Sequence, residues 1–413
     1  GFFPSIAVGY NISNEKFWQP IKPVISNLKI RGSWGLVGND ATNAGRFAYM
    51  EDLVLGGSDS YTTGIRQDTY YSGPSWNRYF NPDLTWEVGE KINLGLDLQL
   101  FNDFNLTFDI FREKRRDIFM TRENSIPEIV GTGETKITSN NGEMENKGLD
   151  LAIDYNKQIT KDFFLSFKST LTFARNKVLK MDEPPYFEYP GLSDVGHPLG
   201  TYWGYVADGL FPDQETIDNS PRQDLGYTPQ PGDIKYVNQP NAKGEYDNVI
   251  NSNDRVAIGH PYDPELVYGF GPSMKWKNWD FSFFFQGVAR TSFMMYGMHP
   301  FGTTSIKNML QFVADDHWSV DNPNPNAAYP RLTKDSNGNN EQYSTYWLRN
   351  AAFLKLKNAE IGYTYKGMRF YLSGVNLLTF SPFKHWDPEM GGGNGLYYPT
   401  QRVFNIGFQM TIQ

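Results

Sequence analysis

Residues 86–111 read WEVGEKINLGLDLQLFNDFNLTFDIF. Ile92, Leu94, Leu96, Leu98 and Leu100 alternate there with Asn93, Gly95, Asp97 and Gln99. That is the pattern of a strand with one apolar and one polar face. FNDF supplies a short turn, after which Leu106, Phe108 and Ile110 restart the alternation. The stretch predicts an antiparallel hairpin of two-faced strands.

The same period recurs outward in both directions. Ile6, Val8, Tyr10 and Ile12 alternate near the start, followed by Leu28, Ile30, Trp34 and Leu36. Further runs hold Leu149 to Tyr155, Leu165 to Phe173, Tyr268 to Trp276 and Trp279 to Phe285. RFYLSGV follows, and the chain ends on Phe404, Ile406, Phe408, Met410 and Ile412. In FLKLKNAEIGYTY, Leu354 and Leu356 are out of phase with Ile361 and Tyr363, which predicts a bulge near Asn358. About eleven strands are expected in all.

The connections fall into two alternating classes. FNDF, NKQITKD, KNWD and YKGM are short turns, whereas residues 38–83, 118–145, 176–264, 292–348 and 378–401 are long segments. Loops longer than about 15 residues are uncommon in compact domains. Long loops on one end and plain turns on the other suit an up-and-down antiparallel meander of the outer-membrane barrel kind. In one long segment, SIKNMLQFVADDHWSV spaces Ile306, Met309, Leu310 and Val313 for a helix, which NPNPN ends.

Composition narrows the classes. The 413 residues carry a net charge of −8 with no cysteine, mean hydropathy is −0.53 and aromatics reach 16%. An acidic balance argues against nucleic acid as a partner. Without cysteine there is no disulfide scaffold, zinc ribbon or thiol enzyme. No run is long enough for a transmembrane helix, and GFFPSIAVGY opens the chain without signs of a signal peptide. Transmembrane strands escape both tests.

Facing separates a barrel from a sandwich. Lys29, Arg31, Asp97, Asp109, Arg112, Asp150, Asp154 and Lys168 all fall to the polar face. Charges at that density suit a wet lumen better than a sandwich core. Trp34, Trp276, Trp279, Tyr363 and Tyr365 near strand ends are expected as interfacial girdles. The expected fold is therefore all-β: a transmembrane up-and-down barrel with lipid against its apolar face, an outer-membrane location and a periplasmic C-terminus. An odd strand count cannot close as an even barrel, so a half barrel is expected.

The stretches LKIRGSWGLVGN, NNGEMENKGLDL, PGDIKY, NDRVAIGHPYDPELVYGF, WLRNAAFLKLKNAEIGYTY and SGVNLLTFSPFKHWDPE carry a resemblance. In order and spacing the chain resembles the C-terminal half of the SusC/RagA family of TonB-dependent outer-membrane transporters from Bacteroidetes. The resemblance implies that residues 1–413 are the second half of a 22-stranded barrel, with the N-terminal plug and first half absent from this sequence. It implies import of oligosaccharides or oligopeptides beneath a SusD-like lipoprotein lid, energised through TonB. It implies no enzyme activity and no cofactor. The alternatives are a soluble or surface β-rich glycan-binding module without transport, and an all-β glycoside hydrolase.

Candidate sites sit in the long segments. Aromatic planes with polar neighbours suit sugar rings, which makes Tyr70, Tyr71, Trp76, Tyr186, Phe187, Tyr189, Trp203 and Tyr205 the candidate ligand contacts. Residues 56–80 and 181–195 are the favoured specificity segments, and Trp386 reads as architectural. No metal is expected. Asp247 and Asp254 have the wrong spacing for calcium, and DSNGNNE at 335–341 lacks the glycine after Asn339, which leaves a polar turn. The histidines, His197, His260, His299, His317 and His385, are scattered and match no catalytic motif.

Overall fold

The computed structural model describes every residue except 42–44, 57–59, 123, 125, 127, 128, 130–136, 298–300, 303, 304, 307–309, 335, 412 and 413. Eleven strands form one antiparallel sheet in strict chain order. They are β1 (Ser5–Asn11), β2 (Ile25–Asn39), β3 (Glu87–Leu100), β4 (Phe104–Thr121), β5 (Thr138–Thr160) and β6 (Phe163–Lys180). The rest are β7 (Leu266–Trp276), β8 (Trp279–Ala289), β9 (Phe353–Tyr365), β10 (Met368–Phe380) and β11 (Val403–Met410). Residues 101–103, 161–162, 277–278 and 366–367 make the tight turns at one end, and the long connections gather at the other.

Register shows why the alternation matters. Across β2, β3 and β4, Ile30 pairs with Leu96 and Leu96 with Phe108. One row along, Arg31 pairs with Gly95 and Gly95 with Asp109. Apolar rows thus meet apolar rows across the sheet, from Val8 at one edge to Ile406 at the other. The slip expected near Asn358 is present: Phe284 pairs with Asn358 and Phe285 with Leu356, so Lys357 is skipped. That extra residue keeps Leu356 and Ile361 on the same face.

The polar face holds its charges by pairing them. Arg31 Nη2 lies 2.5 Å from Asp109 and its Nε 3.3 Å from Asp97. A Cβ at Gly95 would lie 2.5 Å from the Arg31 guanidinium, so the ion pair closes over a glycine. Gly362 plays the same part where Arg369 bonds Asp280 and Glu360. Lys355 is fully buried between Asp387 and Glu389, and Lys357 reaches Glu389 at 2.5 Å. Arg112 departs from expectation. It pairs across from Ile92, on the apolar side, where the rows turn charged near the loop end and it reaches Glu145 at 2.6 Å.

The transmembrane barrel expected from the sequence is not found: the sheet does not close. β1 and β11 are the two edges of an open sheet, and neither pairs with a further strand among the described residues. The reason is direction. In an antiparallel meander all odd-numbered strands run the same way, so β1 and β11 are mutually parallel and cannot close the ladder antiparallel. Val403–Met410 pairs on one side only, against Met368–Val375, and Ile412 lies outside the described residues. The readings as a β-barrel membrane protein, with lipid on its apolar face and a multi-pass outer-membrane location, rested on alternation and loop asymmetry, and the open sheet contradicts them. No helix among the described residues is long and apolar enough to cross a membrane, which bears on helices alone.

The helix expected over SIKNMLQFVADDHWSV shrinks to Gln311–Asp315. Leu310 is extended with no side-chain cap, Ser305–Ile306 is a strand, and Met309 lies outside the described residues. Val313 is buried as expected.

Among the described residues no protein layer covers the apolar sheet face: Val8 is 68% exposed and Ile406 90%. The native chain in buffer should therefore bind an apolar dye such as ANS, since faces this large are rare on monomers. Ile406→Lys should reduce the dye signal while unfolding midpoints stay within about 0.5 kcal/mol of the parent. A native chain that leaves ANS dark would contradict the uncovered face.

Burial opposes the Glu389 charge, but the bonds from Lys355 and Lys357 outweigh it and hold the carboxyl below its usual range. A depressed carboxyl stabilises the fold above its unfolded pKa of about 4.3, and that stability is lost as pH falls through the folded value. Glu389→Gln should flatten the acid limb of stability against pH. An unchanged limb would argue against the pairing.

Candidate ligand-binding site

The hydrophobic core lies in the long connections rather than under the sheet. Tyr205, Leu210, Ile234, Tyr236, Phe293, Met295, Trp318, Tyr329, Trp347 and Phe383 form one buried cluster. Three of the long segments contribute, so the loops pack on each other as a layer at one end of the strands.

A buried polar knot pins this layer. Asp233, in PGDIKY, has no exposed surface. Its carboxylate lies 2.8 Å from Arg331 Nε and accepts bonds from Asn337 Nδ2 (3.0 Å), Asn340 Nδ2 (2.8 Å) and the Gln230 amide (2.8 Å). Asn339 Nδ2 donates to the Ile234 carbonyl at 2.8 Å, and Tyr236 Oη donates to the Asn339 carbonyl at 2.7 Å. Burial pushes the Tyr236 hydroxyl pKa well up, so it stays a donor. The stretch weighed as a calcium loop is thus a structural clamp. Asn337, Asn339 and Asn340 are fully buried rather than set in a surface turn, and Asp335 lies outside the described residues. Asp254 is likewise engaged, accepting from the Gln239 and Asn251 amides.

The strand Tyr202–Gly204 pairs antiparallel with Val256–Ile258 in this layer. On one face of that ribbon lies a cavity of about 400 Å³ lined by Tyr186, Leu192, Asp194, Trp203, Asn253 and Arg255, among others. Trp203 Nε1 donates to Asp194 Oδ1 at 2.6 Å, and His197 packs edge-on to the indole at 5.1 Å. Glu183 holds the turn beneath by accepting from the Asp194 amide at 3.0 Å. Arg255 Nη2 lies 3.4 Å from the Trp203 carbonyl. The indole is therefore fixed in orientation, with one carboxylate and one guanidinium beside it. Such a cleft can grip a ligand with a flat apolar part and polar groups at its rim.

The expected aromatic contacts separate into groups. Tyr186 and Trp203 come together in the cleft. Tyr189, at the entry to a short 3-10 turn, has its hydroxyl pKa raised by burial and by the nearby charge of Asp247. Phe187 points outward at 87% exposure. Tyr70 and Tyr71 sit in a separate hairpin where Tyr71 stacks on Tyr61 at 5.2 Å, and Trp76 stacks on Tyr79 at 5.4 Å. Tyr205 is a core residue packed 5.1 Å from Tyr236. Trp386 is architectural, packed on Phe383 at 4.6 Å with Nε1 bonded to the Gly391 carbonyl. His385 stacks on Phe312, and His299 lies outside the described residues. Asp194, Asn253 and Arg255 were not anticipated singly, although Asp194 falls in the favoured segment 181–195.

A wider groove of about 570 Å³ at the loop end of β5 and β6 includes Glu145, Lys147 and Arg175. Three of its charged side chains are already engaged: Glu145 with Arg112 and Lys147, and Arg175 with Glu265.

Residues 1–377 match the sequence family described as TonB dependent receptor-like, beta-barrel. The chain belongs to this family. Among curated proteins it is 28% identical to TonB-dependent receptor P26 of Formosa agariphila, over 99% of this chain and 42% of that protein. It is also 28% identical to TonB-dependent receptor SusC of Bacteroides thetaiotaomicron, over 99% of this chain and 40% of that protein. The homology places it among the SusC/RagA TonB-dependent transporters. The fold matches the structure of the RagAB peptide transporter, with a TM-score of 0.73 and 22% identity over 99% of this chain and 43% of that one. The chain thus spans about two fifths of the length of these relatives. As a member of a receptor family, the protein is not an enzyme. The family description names a barrel, whereas the ladder of this TonB-dependent receptor chain remains open at β1 and β11.

Asp233→Ala should destabilise the receptor chain by about 3–5 kcal/mol, because Arg331 and the asparagine amides lose their buried partner. Thermal unfolding would show it, and a loss below about 1 kcal/mol would mean the knot does not hold the layer.

Proposed function

We propose that this chain is the ligand-binding part of a nutrient receptor, with the Trp203 cleft as its contact for an oligosaccharide or oligopeptide. One observation carries the reading. Tyr186 and Trp203 converge with Asp194 and Arg255 in a single cavity whose aromatic ring is held fixed. An open sheet encloses no lumen, so what this chain contributes by itself is binding, as a β-rich module. Family membership supports a wider setting. Energy-coupled uptake through TonB, with a SusD-like lipoprotein as partner, is the corresponding proposal for the whole receptor.

Calorimetric titration with peptide and oligosaccharide panels tests the cleft. Truncating an aromatic anchor costs about 2 kcal/mol or more, so Trp203→Ala should weaken the bound ligand by about 30-fold. Asp194→Ala frees the indole and should weaken binding less. If Trp203→Ala leaves the affinity for every bound ligand unchanged, the cleft is not the site.

A further inference from the structure

Tyr202 and Trp203 are neighbours in one strand, so their side chains leave opposite faces of the ribbon. Trp203 lines the cleft above. Tyr202 lines a different cavity of about 330 Å³ that no sequence motif singled out. Its walls are tyrosines: Tyr202, Tyr262, Tyr296, Tyr343 and Tyr397, with Met294 and Met390 between them. Gly391 and Gly392 complete it. Among the described residues, no charged one lines it.

The cavity is built, not a chance gap between side chains. Gly393 donates to the Met294 carbonyl at 2.8 Å, and Tyr296 donates back to the Gly393 carbonyl at 3.1 Å. A Cβ on Gly392 would lie 2.4 Å from the Met294 carbonyl oxygen, so only glycine allows the two backbones this close. Gly393 has φ +98, and a Cβ there would lie 3.3 Å from the Tyr397 ring. The glycine run therefore lets the tyrosines close in over a floor of bonded backbone. The Tyr296 and Tyr397 hydroxyls hydrogen-bond each other, which raises the Tyr296 pKa. Burial pushes the Tyr202 hydroxyl up to about 12. The Tyr202 and Tyr296 hydroxyls are thus held in the protonated form, and a phenol can both donate and accept. The nearby acids Asp387 and Glu389 are taken by Lys355 and Lys357.

We infer that this cavity is a second binding site, and that it takes a neutral sugar residue. Tyrosine offers a rigid, amphipathic face at low entropy cost, with two side-chain torsions to fix. A pyranose ring matches that surface with an apolar face of C–H groups and a rim of hydroxyls. A carboxylate, a phosphate or a peptide terminus would be desolvated here without a counter-charge, which costs several kcal/mol. The volume, at the small end of the roughly 300–1,000 Å³ range of ligand pockets, suits about one or two sugar rings. The inference rests on the proposed binding function only in treating the chain as a receptor. It narrows the ligand to a neutral sugar and adds a location separate from the Trp203 cleft.

Calorimetric titration of the whole chain with maltoheptaose, cellohexaose and mannohexaose tests it, with oligogalacturonate and neutral-side-chain tripeptides as the competing classes. At least one neutral oligosaccharide should bind. Tyr397→Ala should weaken that binding at least about tenfold, which is the loss of about 1.4 kcal/mol. Tyr397→Phe, which keeps the ring and removes the hydroxyl bond, should weaken it less, and Trp203→Ala should leave it within about twofold. Tyr397 is half exposed, so neither change threatens folding, and circular dichroism would confirm this. Failure of all three neutral sugars, or neutral-sugar binding that ignores Tyr397→Ala, overturns the inference. If peptides or oligogalacturonate bind instead and respond to Trp203→Ala, the proposed function stands while this site falls. If nothing in the panel binds, both fall together.

Discussion

The ladder pairs Leu96 with Phe108 and Asp97 with Thr107, and this two-residue repeat governs the molecule. A strand has only two sides. Once eleven strands align their apolar rows, the polar rows align too, and every charge on them needs a partner on the same face. Arg31 reaching two aspartates and Arg369 reaching Asp280 and Glu360 are the consequence. The glycines at 95 and 362 follow in turn, because a guanidinium crossing a central strand needs space where a side chain would stand.

The sheet buries no apolar layer of its own, so the burial that defines a core occurs in the connections. Long loops bring a difficulty, since their backbone groups lack ladder partners. Here short ribbons and the Asp233 knot meet that need. The knot joins PGDIKY to residues 337–340 across more than a hundred positions of sequence. Buried charge is weak evidence for stability but good at fixing one arrangement among several. Fixing an arrangement is what a binding surface made of loops requires.

Much of the fold was legible because period two is a local signal. All eleven strands, the split between tight turns and long connections, and the slip beside Asn358 could be read from spacing alone. The odd count likewise showed that these strands do not close as an even barrel. What covers the apolar face could not be read, because alternation is the same whichever layer lies against it. Arg112 was misplaced because the position where an apolar face ends is set by the neighbouring strands, through Ile92 and Glu145. The expected helix failed at Leu310, whose extended backbone has no capping partner. The role of Asn337, Asn339 and Asn340 was hidden because their partner, Asp233, is far away in sequence. In the candidate site, aromatic residues in loops were a fair signal for Tyr186 and Trp203. The same signal could not separate them from Tyr205, which has identical chemistry and lies in the core.

That contrast separates packing residues from cavity-lining ones within the layer. Tyr205 and Tyr236 are spent on packing, whereas Tyr202 and Trp203, three and two residues before Tyr205, face cavities. A ribbon of three residue pairs cannot hold its side chains still on ladder bonds alone. It is steadied by the buried tyrosines behind it and by the bond from the Tyr205 amide to the Tyr343 carbonyl. Precise contacts need rigid support. The buried knot, the tyrosine core and the two cavity-lining residues therefore form one chain of dependence. Under the proposed function, residues that line neither cavity, Asp233 first among them, set how well the exposed aromatics would hold a ligand.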